Sequence, residues 1–166
     1  MNPSPLRTLR VLRRFPANAA PVVWKNPSGR DTLHLEGTVG RIVASVKIEN
    51  VTDPAKSLRC DALVDTGASH LVLPNAWKER LPGLQLVGTV EVQTATQATV
   101  QGEVYGPVKI QIEGFRPIFG EVLFVEMTPE NGSYEPLLGY IVLEQSQAAV
   151  DMLGHRLIHV KHMDLK

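Results

Sequence analysis

The sequence has few of the features that would give it covalent crosslinks or a strong charge. Cys60 is the one cysteine among 166 residues, so an intramolecular disulfide is excluded and a cysteine-based zinc site would lack ligands. This cysteine usage is compatible with a reducing compartment. The formal net charge is zero, which argues against nucleic acid or an anionic membrane as the main partner, because both need a basic surface.

Long apolar runs are also missing. No stretch approaches the ~20 residues that a membrane helix needs, and the N-terminus carries charges where a signal peptide would have its hydrophobic segment. We therefore expect a soluble, cytoplasmic protein without a membrane partner. Residues 1–30 contain six basic residues and no acidic one. A flexible leader, a misplaced start codon and a transit peptide all remain compatible with that composition.

The composition favours one mostly β domain. Hydrophobic and charged contents of 43% and 20% are ordinary for a globular protein, while twelve prolines and thirteen glycines favour short strands and turns. The prolines of residues 1–32 prevent a long regular element, which predicts a flexible basic arm there. Residues 33–166 are predicted to form the folded domain, since a chain of this length supports one core.

Alternating apolar and polar residues predict most of the strands. In the first of them, Ile42, Ala44, Val46 and Ile48 share one face, and a turn then leads into a second strand that ends at Asp65. A short helix is predicted within 74–84 and another over 140–147. The predicted strands are 42–49, 58–64, 87–94, 99–105, 108–113 and 118–125, followed by a closing hairpin of 148–153 and 156–160.

One stretch stands out chemically. Ala62-Leu63-Val64 predicts a buried strand that breaks at Asp65-Thr66-Gly67. A carboxylate at the end of such a strand is costly to bury and is usually paired, neutralised or functional. Taken alone, the tripeptide also fits a β-turn in which the aspartate caps backbone amides. The apolar motif Leu137-Leu138-Gly139, some seventy residues later, supports the functional interpretation.

A single carboxylate cannot serve as both acid and base toward a water molecule, but two can. Like charges in contact cannot both ionise, so one carboxyl keeps its proton while the other accepts a proton from the attacking water. Asp-Thr-Gly occurs once in the chain. An active enzyme would therefore need the second carboxylate from another copy, in a twofold homodimer. A pairing of Asp65 with Asp151 within one chain stays open, although Asp151 more simply braces a turn.

From about residue 40 to residue 160 the sequence resembles the retropepsin-like aspartic proteases, specifically the small single-lobe bacterial members. The resemblance rests on Ala62-Leu63-Val64-Asp65-Thr66-Gly67-Ala68, on Leu137-Leu138-Gly139, and on the segment from Ala149-Val150-Asp151 to Gly154-His155-Arg156-Leu157. It implies an all-β fold, a closed acid-protease barrel with one short helix near the C-terminus. It also implies an aspartic endopeptidase that acts on peptide or protein substrates as a homodimer and uses no cofactor.

The resemblance implies a role for each matching residue. Asp65 would be the catalytic carboxylate, Thr66 would hydrogen-bond to its counterpart across the twofold axis, and Gly67 would allow close approach of water and substrate. Leu137, Leu138 and Gly139 would thread beside Asp65 as structural residues. The substrate would be bound by Ala68 and Ser69 and by a hairpin tip that would act as a flap, with Ala95, Thr96 and Gln97 at that tip.

The sequence also departs from the family pattern. The flap tip lacks the glycines that are common there, and Tyr140 follows Gly139 where retroviral members usually have arginine. Two other functions therefore remain open. The chain could be a non-catalytic module that kept the fold for dimerisation or peptide binding, or a plain β-barrel binding protein.

The remaining polar residues have simpler interpretations. Cys60 is expected to be a small core residue, because no histidine and acid partners can be assigned to it. The five histidines do not show the spacing of a metal site, so none is predicted. They are His34, His70, His155, His159 and His162.

Overall fold

The computed structural model describes residues 40–93 and 99–160. The predicted basic arm of residues 1–32 and the predicted flap residues Ala95, Thr96 and Gln97 lie outside these ranges. The described residues are mostly β-strand, with one 3₁₀ helix and one short α-helix. This content agrees with the mostly β domain that the sequence predicts. None of the described helices is long and apolar enough to cross a membrane.

The elements follow the predicted order closely. The helices are the 3₁₀ helix Asn75–Arg80 and α1, Tyr140–Gln145. The strands are β1 (Val43–Asn50), β2 (Ser57–Val64), β3 (Leu71–Pro74), β4 (Gln85–Gln93), β5 (Thr99–Ile112), β6 (Ile118–Val125), β7 (Leu137–Leu138), β8 (Ala148–Asp151) and β9 (Arg156–His159).

Seven strands form one sheet in the order β1-β2-β7-β3-β6-β5-β4, and β1 also pairs with β5. The predicted hairpin of the first two strands is present, with Val43 opposite Leu63 and Glu49 opposite Ser57. The short strand β7 lies between β2, to which it is parallel, and β3, to which it is antiparallel. This position inserts the second apolar motif beside the strand that delivers Asp65.

Strand β5 differs from the prediction. The sequence predicts two strands, 99–105 and 108–113, with Gly106 and Pro107 between them. In the structure one strand continues through Pro107, and its pairing with β6 shifts register between Tyr105 and Val108. The proline is tolerated because it falls at this irregularity, where the ladder is interrupted anyway.

The 3₁₀ helix is also shorter than the predicted segment 74–84. Pro74 occupies its N-cap position, and no side chain caps the helix. The Asn75 side chain donates a hydrogen bond to Glu126 instead, at 3.3 Å.

The core has two parts, because several strands are covered on both faces. The main cluster contains Ile48, Leu71, Val122 and Phe124. A second cluster on the other face contains Val72, Val104, Leu123 and Val125. Consecutive residues of β3 and β6 therefore alternate between the clusters, which explains why 122–125 is a continuous apolar run rather than an alternating one.

Candidate active site

Asp65 follows directly after β2 and begins a tight turn. Its backbone N–H donates to the Leu138 carbonyl at 3.0 Å, and its own carbonyl accepts from Ala68 at 3.2 Å. The carboxylate oxygen Oδ1 accepts a hydrogen bond from the Gly67 backbone N–H at 2.8 Å. The turn thus holds Asp65 from the backbone and from the side chain, as expected for an aspartate at this kind of turn.

The Asp65 carboxylate is half-buried, while Thr66 and Gly67 are exposed. Among the described residues, no lysine, arginine or histidine forms an ion pair with Asp65, and its Oδ2 atom has no hydrogen-bond partner. The Asp-Thr-Gly turn therefore presents a carboxylate oxygen and an exposed hydroxyl at the protein surface, available to water or to another molecule.

Backbone hydrogen bonds connect the Asp65 loop with the second apolar motif, Leu137-Leu138-Gly139, and its neighbours. Leu63 donates to the Pro136 carbonyl at 2.8 Å, which begins the ladder between β2 and β7. The backbone N–H groups of Tyr140 and Ile141 donate to the carbonyls of Ala68 and Ser69, at 2.9 and 3.1 Å. These bonds satisfy two N–H groups in the first turn of α1, which would otherwise lack intrahelical partners.

Gly139 packs closely against the backbone of the Asp65 loop. A Cβ atom placed on it would lie 2.7 Å from the Ala68 carbonyl oxygen and would also overlap with the His70 carbonyl oxygen. The Leu-Leu-Gly motif ends in glycine because the loop backbone occupies the space of a side chain. Leu137, Leu138 and Gly139 thus lie next to the Asp65 loop.

Ser69 and its neighbour form the next polar contact along the loop. The Ser69 hydroxyl lies 2.8 Å from Nδ1 of His70, whose Nε2 atom is 3.9 Å from Glu121 Oε2. Neither His70 nor Glu121 was predicted as a functional residue. The sequence offers no spacing that connects them, since they meet only because β3 and β6 pair in parallel.

The second apolar cluster, unlike Ala68 beside it, was not predicted as part of the site. Ala68 packs against the second cluster, and so does Val92 of β4, the strand that enters the predicted flap hairpin. The β4–β5 ladder continues to the pair Gln93 and Thr99, which are the last described residues on either side of 94–98. The signal available in the sequence was the unbroken apolar run of β6, which indicates a strand buried on both faces.

The Asp151 carboxylate and the Cys60 thiol both have structural surroundings. Asp151 Oδ1 accepts backbone hydrogen bonds from Gly154 at 2.8 Å and Leu153 at 3.2 Å, and these lower its pKa together with the Arg156 guanidinium. Cys60 packs against the main core, and burial together with the Asp61 charge raises the pKa of its thiol to about 11. Such a thiol is a poor nucleophile at neutral pH.

A comparison with known families agrees with this geometry. The sequence model described as "Aspartyl protease" matches residues 44–142, which include Asp65 and Gly139. The chain belongs to the aspartyl protease family. This match confirms, at the level of the family, the resemblance inferred from Asp65-Thr66-Gly67 and Leu137-Leu138-Gly139.

Solved structures similar to this aspartyl protease include a retroviral protease. EIAV protease in complex with the inhibitor HBY-793 shares 24% sequence identity and gives a TM-score of 0.48. The alignment covers 69% of this chain and 93% of the viral one. No curated protein sequence matches the aspartyl protease described here.

No metal site is evident in the described part of this aspartyl protease. Residues 40–93 and 99–160 contain no group of three or more histidine, cysteine, aspartate or glutamate side chains that could hold an ion.

Proposed function

We propose that the protein is an aspartic endopeptidase whose active unit is a homodimer with one Asp65 from each protomer at a shared site. The observation that carries the proposal is the Asp65 turn. Its carboxylate accepts only the Gly67 N–H among the described residues, while β7 and α1 hold the turn rigidly. A rigidly held carboxylate with a free oxygen is suited to act on a water molecule.

In the proposed reaction, two Asp65 carboxyl groups share one proton, because two adjacent carboxylates cannot both remain charged. The ionised carboxylate accepts a proton from water as the water oxygen bonds to the peptide carbonyl carbon. The protonated carboxyl donates its proton to the carbonyl oxygen. The carboxyl that took the proton from water then donates it to the amide nitrogen as the C–N bond breaks. A hydroxyl of the tetrahedral intermediate returns its proton to the other carboxylate, so the amine leaves, a new carboxyl group forms and the two Asp65 side chains again share one proton.

The loop and the strands around it supply the remaining parts. Thr66 is exposed and available for a hydrogen bond to the second protomer, and Ala68 and Ser69 offer contacts to the substrate backbone. The apolar cluster of Val72, Val104 and Leu123 supports substrates with apolar side chains near the scissile bond. The hairpin of β4 and β5 would act as the flap, with Ala95, Thr96 and Gln97 at its tip. The pairing of β1 with β5 supports a closed barrel beneath this site.

Replacement of one side-chain atom tests the mechanism. Asp65→Asn keeps an oxygen that can accept from Gly67 but removes the charge, so cleavage of fluorescein-labelled denatured casein should fall by roughly 10³-fold or more. Asp61→Asn is the matched control, because Asp61 is exposed on the same strand and four residues from the site. Its activity should stay close to that of the original protein.

Both variants should keep the far-ultraviolet circular dichroism spectrum and the sedimentation coefficient of the original protein. Casein cleavage that persists in Asp65→Asn would contradict the mechanism. A dimer without any cleavage before mutation would instead favour a non-catalytic module that kept the fold for dimerisation or peptide binding.

A further inference from the structure

A cavity of about 510 Å³ opens beside His70, and none of Asp65, Thr66 and Gly67 lines it. The volume lies within the range of pockets that hold small ligands or side chains. Its walls come from the start of β4, the irregular part of β5, the start of β6 and helix α1. The apolar wall residues include Val87, Pro107, Ile110, Ile118, Phe119 and Ile141.

The polar groups of the cavity include one carboxylate. The Glu121 side chain is 42% exposed, and His70 at 3.9 Å is its only ion-pair partner among the described residues. The 3.9 Å separation is too long for a hydrogen bond, so among the described residues the carboxylate has no close cationic partner. Arg116 does not fill this role, because it donates hydrogen bonds to the Gln145 carbonyl from Nε at 2.9 Å and from an Nη atom at 2.6 Å.

The cavity is connected to the proposed site through two adjacent residues. His70 lines the cavity, and its Nδ1 atom lies 2.8 Å from the hydroxyl of Ser69, which is a proposed substrate contact. The parallel pairing of Leu71 with Val122 brings the preceding residues, His70 and Glu121, to the same end of β3 and β6. A peptide that passes Ser69 in extended conformation therefore reaches the cavity within a few residues, since each residue spans about 3.3 Å.

We propose that this cavity is a distal subsite for a lysine or arginine side chain of the peptide substrate, and that Glu121 determines the specificity. The aliphatic part of such a side chain would cover the apolar wall formed by Val87, Pro107 and Phe119. Its cationic end would reach the Glu121 carboxylate and form a charge-assisted hydrogen bond. An acidic side chain at the same substrate position would be repelled, which adds to the discrimination.

This inference rests on the proposed proteolytic function, and cleavage profiling tests the two together. The protein would be incubated with a peptide library from a denatured proteome, and the cut sites mapped by mass spectrometry. We expect lysine and arginine to be enriched about fivefold at one position away from the scissile bond. That enrichment should be lost in Glu121→Gln and should change to acidic residues in Glu121→Lys.

Glu126→Gln is the matched control, because Glu126 is an exposed carboxylate on the neighbouring chain segment that does not line the cavity. It should keep the enrichment. No enrichment in the original protein, or an enrichment that persists in Glu121→Gln, would overturn the proposal.

A binding measurement separates the subsite from the protease function. Amide chemical shifts of Asp65→Asn would be followed by NMR during titration with 1-hexylamine, which is cationic at neutral pH, and with 1-hexanol, which has the same chain without the charge. The amine should shift Gly106, Gly120 and Glu121 and should bind more tightly than the alcohol by about fivefold. Glu121→Gln should abolish the difference.

Equal binding of the two probes, or shifts elsewhere, would refute the subsite even for an active protease. A protein that cleaves nothing but discriminates between the probes would refute the proteolytic function and keep the cationic pocket.

Discussion

Gly139 is a single residue on which the geometry of the whole candidate site depends. It is buried, and the carbonyls of Ala68 and His70 occupy the space where a side chain would be. Because the neighbouring N–H groups of Tyr140 and Ile141 bond to the Asp65 loop, a shift at Gly139 would move the loop as well. The glycine thus connects local packing with the position of Asp65.

Gly139→Ala should therefore destabilise the protein by about 3 kcal/mol or more, because the added methyl group overlaps with backbone that cannot move aside cheaply. The free energy of unfolding would be measured by urea denaturation. Gly120→Ala is the control, since a Cβ atom there meets nothing within 4 Å. Its stability should change by no more than about 0.5 kcal/mol. A similar stability for the two variants would contradict this account of the loop.

Glu49 illustrates a second kind of residue-scale effect, in which charge joins two strands. Its carboxylate lies 2.5 Å from the Lys47 ammonium and 2.8 Å from the Lys109 ammonium. Glu49 is on β1 and is paired with Lys109 of β5 in the ladder. Hydrogen bonds from Lys109 and then from Lys47 lower the pKa of Glu49 from 4.5 to about 2. The folded state therefore favours the charged form.

The lowered pKa fixes the direction of the pH dependence. The contribution to stability is present above the unfolded-state pKa of 4.5 and is lost as the pH falls through about 2, below which the carboxyl is protonated in both states. Glu49→Gln should lower Tm at pH 7, and its difference from the original protein should shrink below pH 4.5 and be mostly lost at about pH 2. Glu113→Gln, on an exposed residue without an ion pair among the described ones, should show no such pH dependence. A Tm difference for Glu49→Gln that stays constant with pH would refute the assignment.

Residues that are neighbours in sequence or belong to one compact motif could be predicted from the sequence. The Asp65-Thr66-Gly67 turn depends on local backbone chemistry, and Leu137-Leu138-Gly139 is recognisable by its composition. The pairing of His70 with Glu121 could not be predicted, because it depends on the parallel alignment of β3 and β6. Long-range register of this kind leaves little trace in the periodicity of either strand.

At the scale of elements, alternation predicted the strands of the hairpins but not their neighbours in the sheet. The β1–β2 hairpin follows from a short turn between alternating segments. The position of β7 between β2 and β3 could not follow from a two-residue strand, which is too short to show any period. Two strands were predicted where β5 is a single strand, because the irregular ladder that accommodates Pro107 is not visible in the alternation of either segment.

The hairpin of β8 and β9 exposes several large apolar side chains to solvent. It forms a separate two-stranded sheet and carries exposed apolar side chains, with Leu153 96% exposed and Met152 63% exposed. Ile158 and Val160 are exposed on the same segment. Exposed apolar groups that lie together mark a contact surface more often than isolated ones do. We expect this hairpin to contribute to the proposed dimer.

A charge at the tip should then weaken the dimer without unfolding the protomer. Leu153→Asp should raise the dimer dissociation constant by about tenfold or more, because a carboxylate would have to lose its water. Sedimentation equilibrium would measure the dissociation constant, and circular dichroism would check the fold. Leu86→Asp is the control, as Leu86 is 54% exposed on β4, outside the hairpin. An unchanged dissociation constant for Leu153→Asp would exclude the hairpin tip from the interface.

At the scale of the whole molecule, one protomer carries only half of the proposed chemistry. The described site offers one carboxylate, and the chain contains a single Asp-Thr-Gly motif. Both oxygens of Asp151 are engaged within its own hairpin, by the backbone of Leu153 and Gly154 and by Arg156, so we expect the second carboxylate to come from another copy. Activity should therefore depend on the association of two copies, each with an intact Asp65.

Mixing active and inactive copies tests this dependence directly. The original protein and Asp65→Asn would be unfolded together, refolded at constant total concentration and assayed on labelled casein. If both Asp65 residues of a dimer are required, activity follows the square of the fraction of original protein, so an equal mixture has about one quarter of the full activity. A site complete within one protomer would instead retain about one half, because inactive copies would only dilute it. Asp61→Asn mixed in the same way should leave the activity unchanged. A linear dependence on the active fraction would refute the shared site even if Asp65 proved essential.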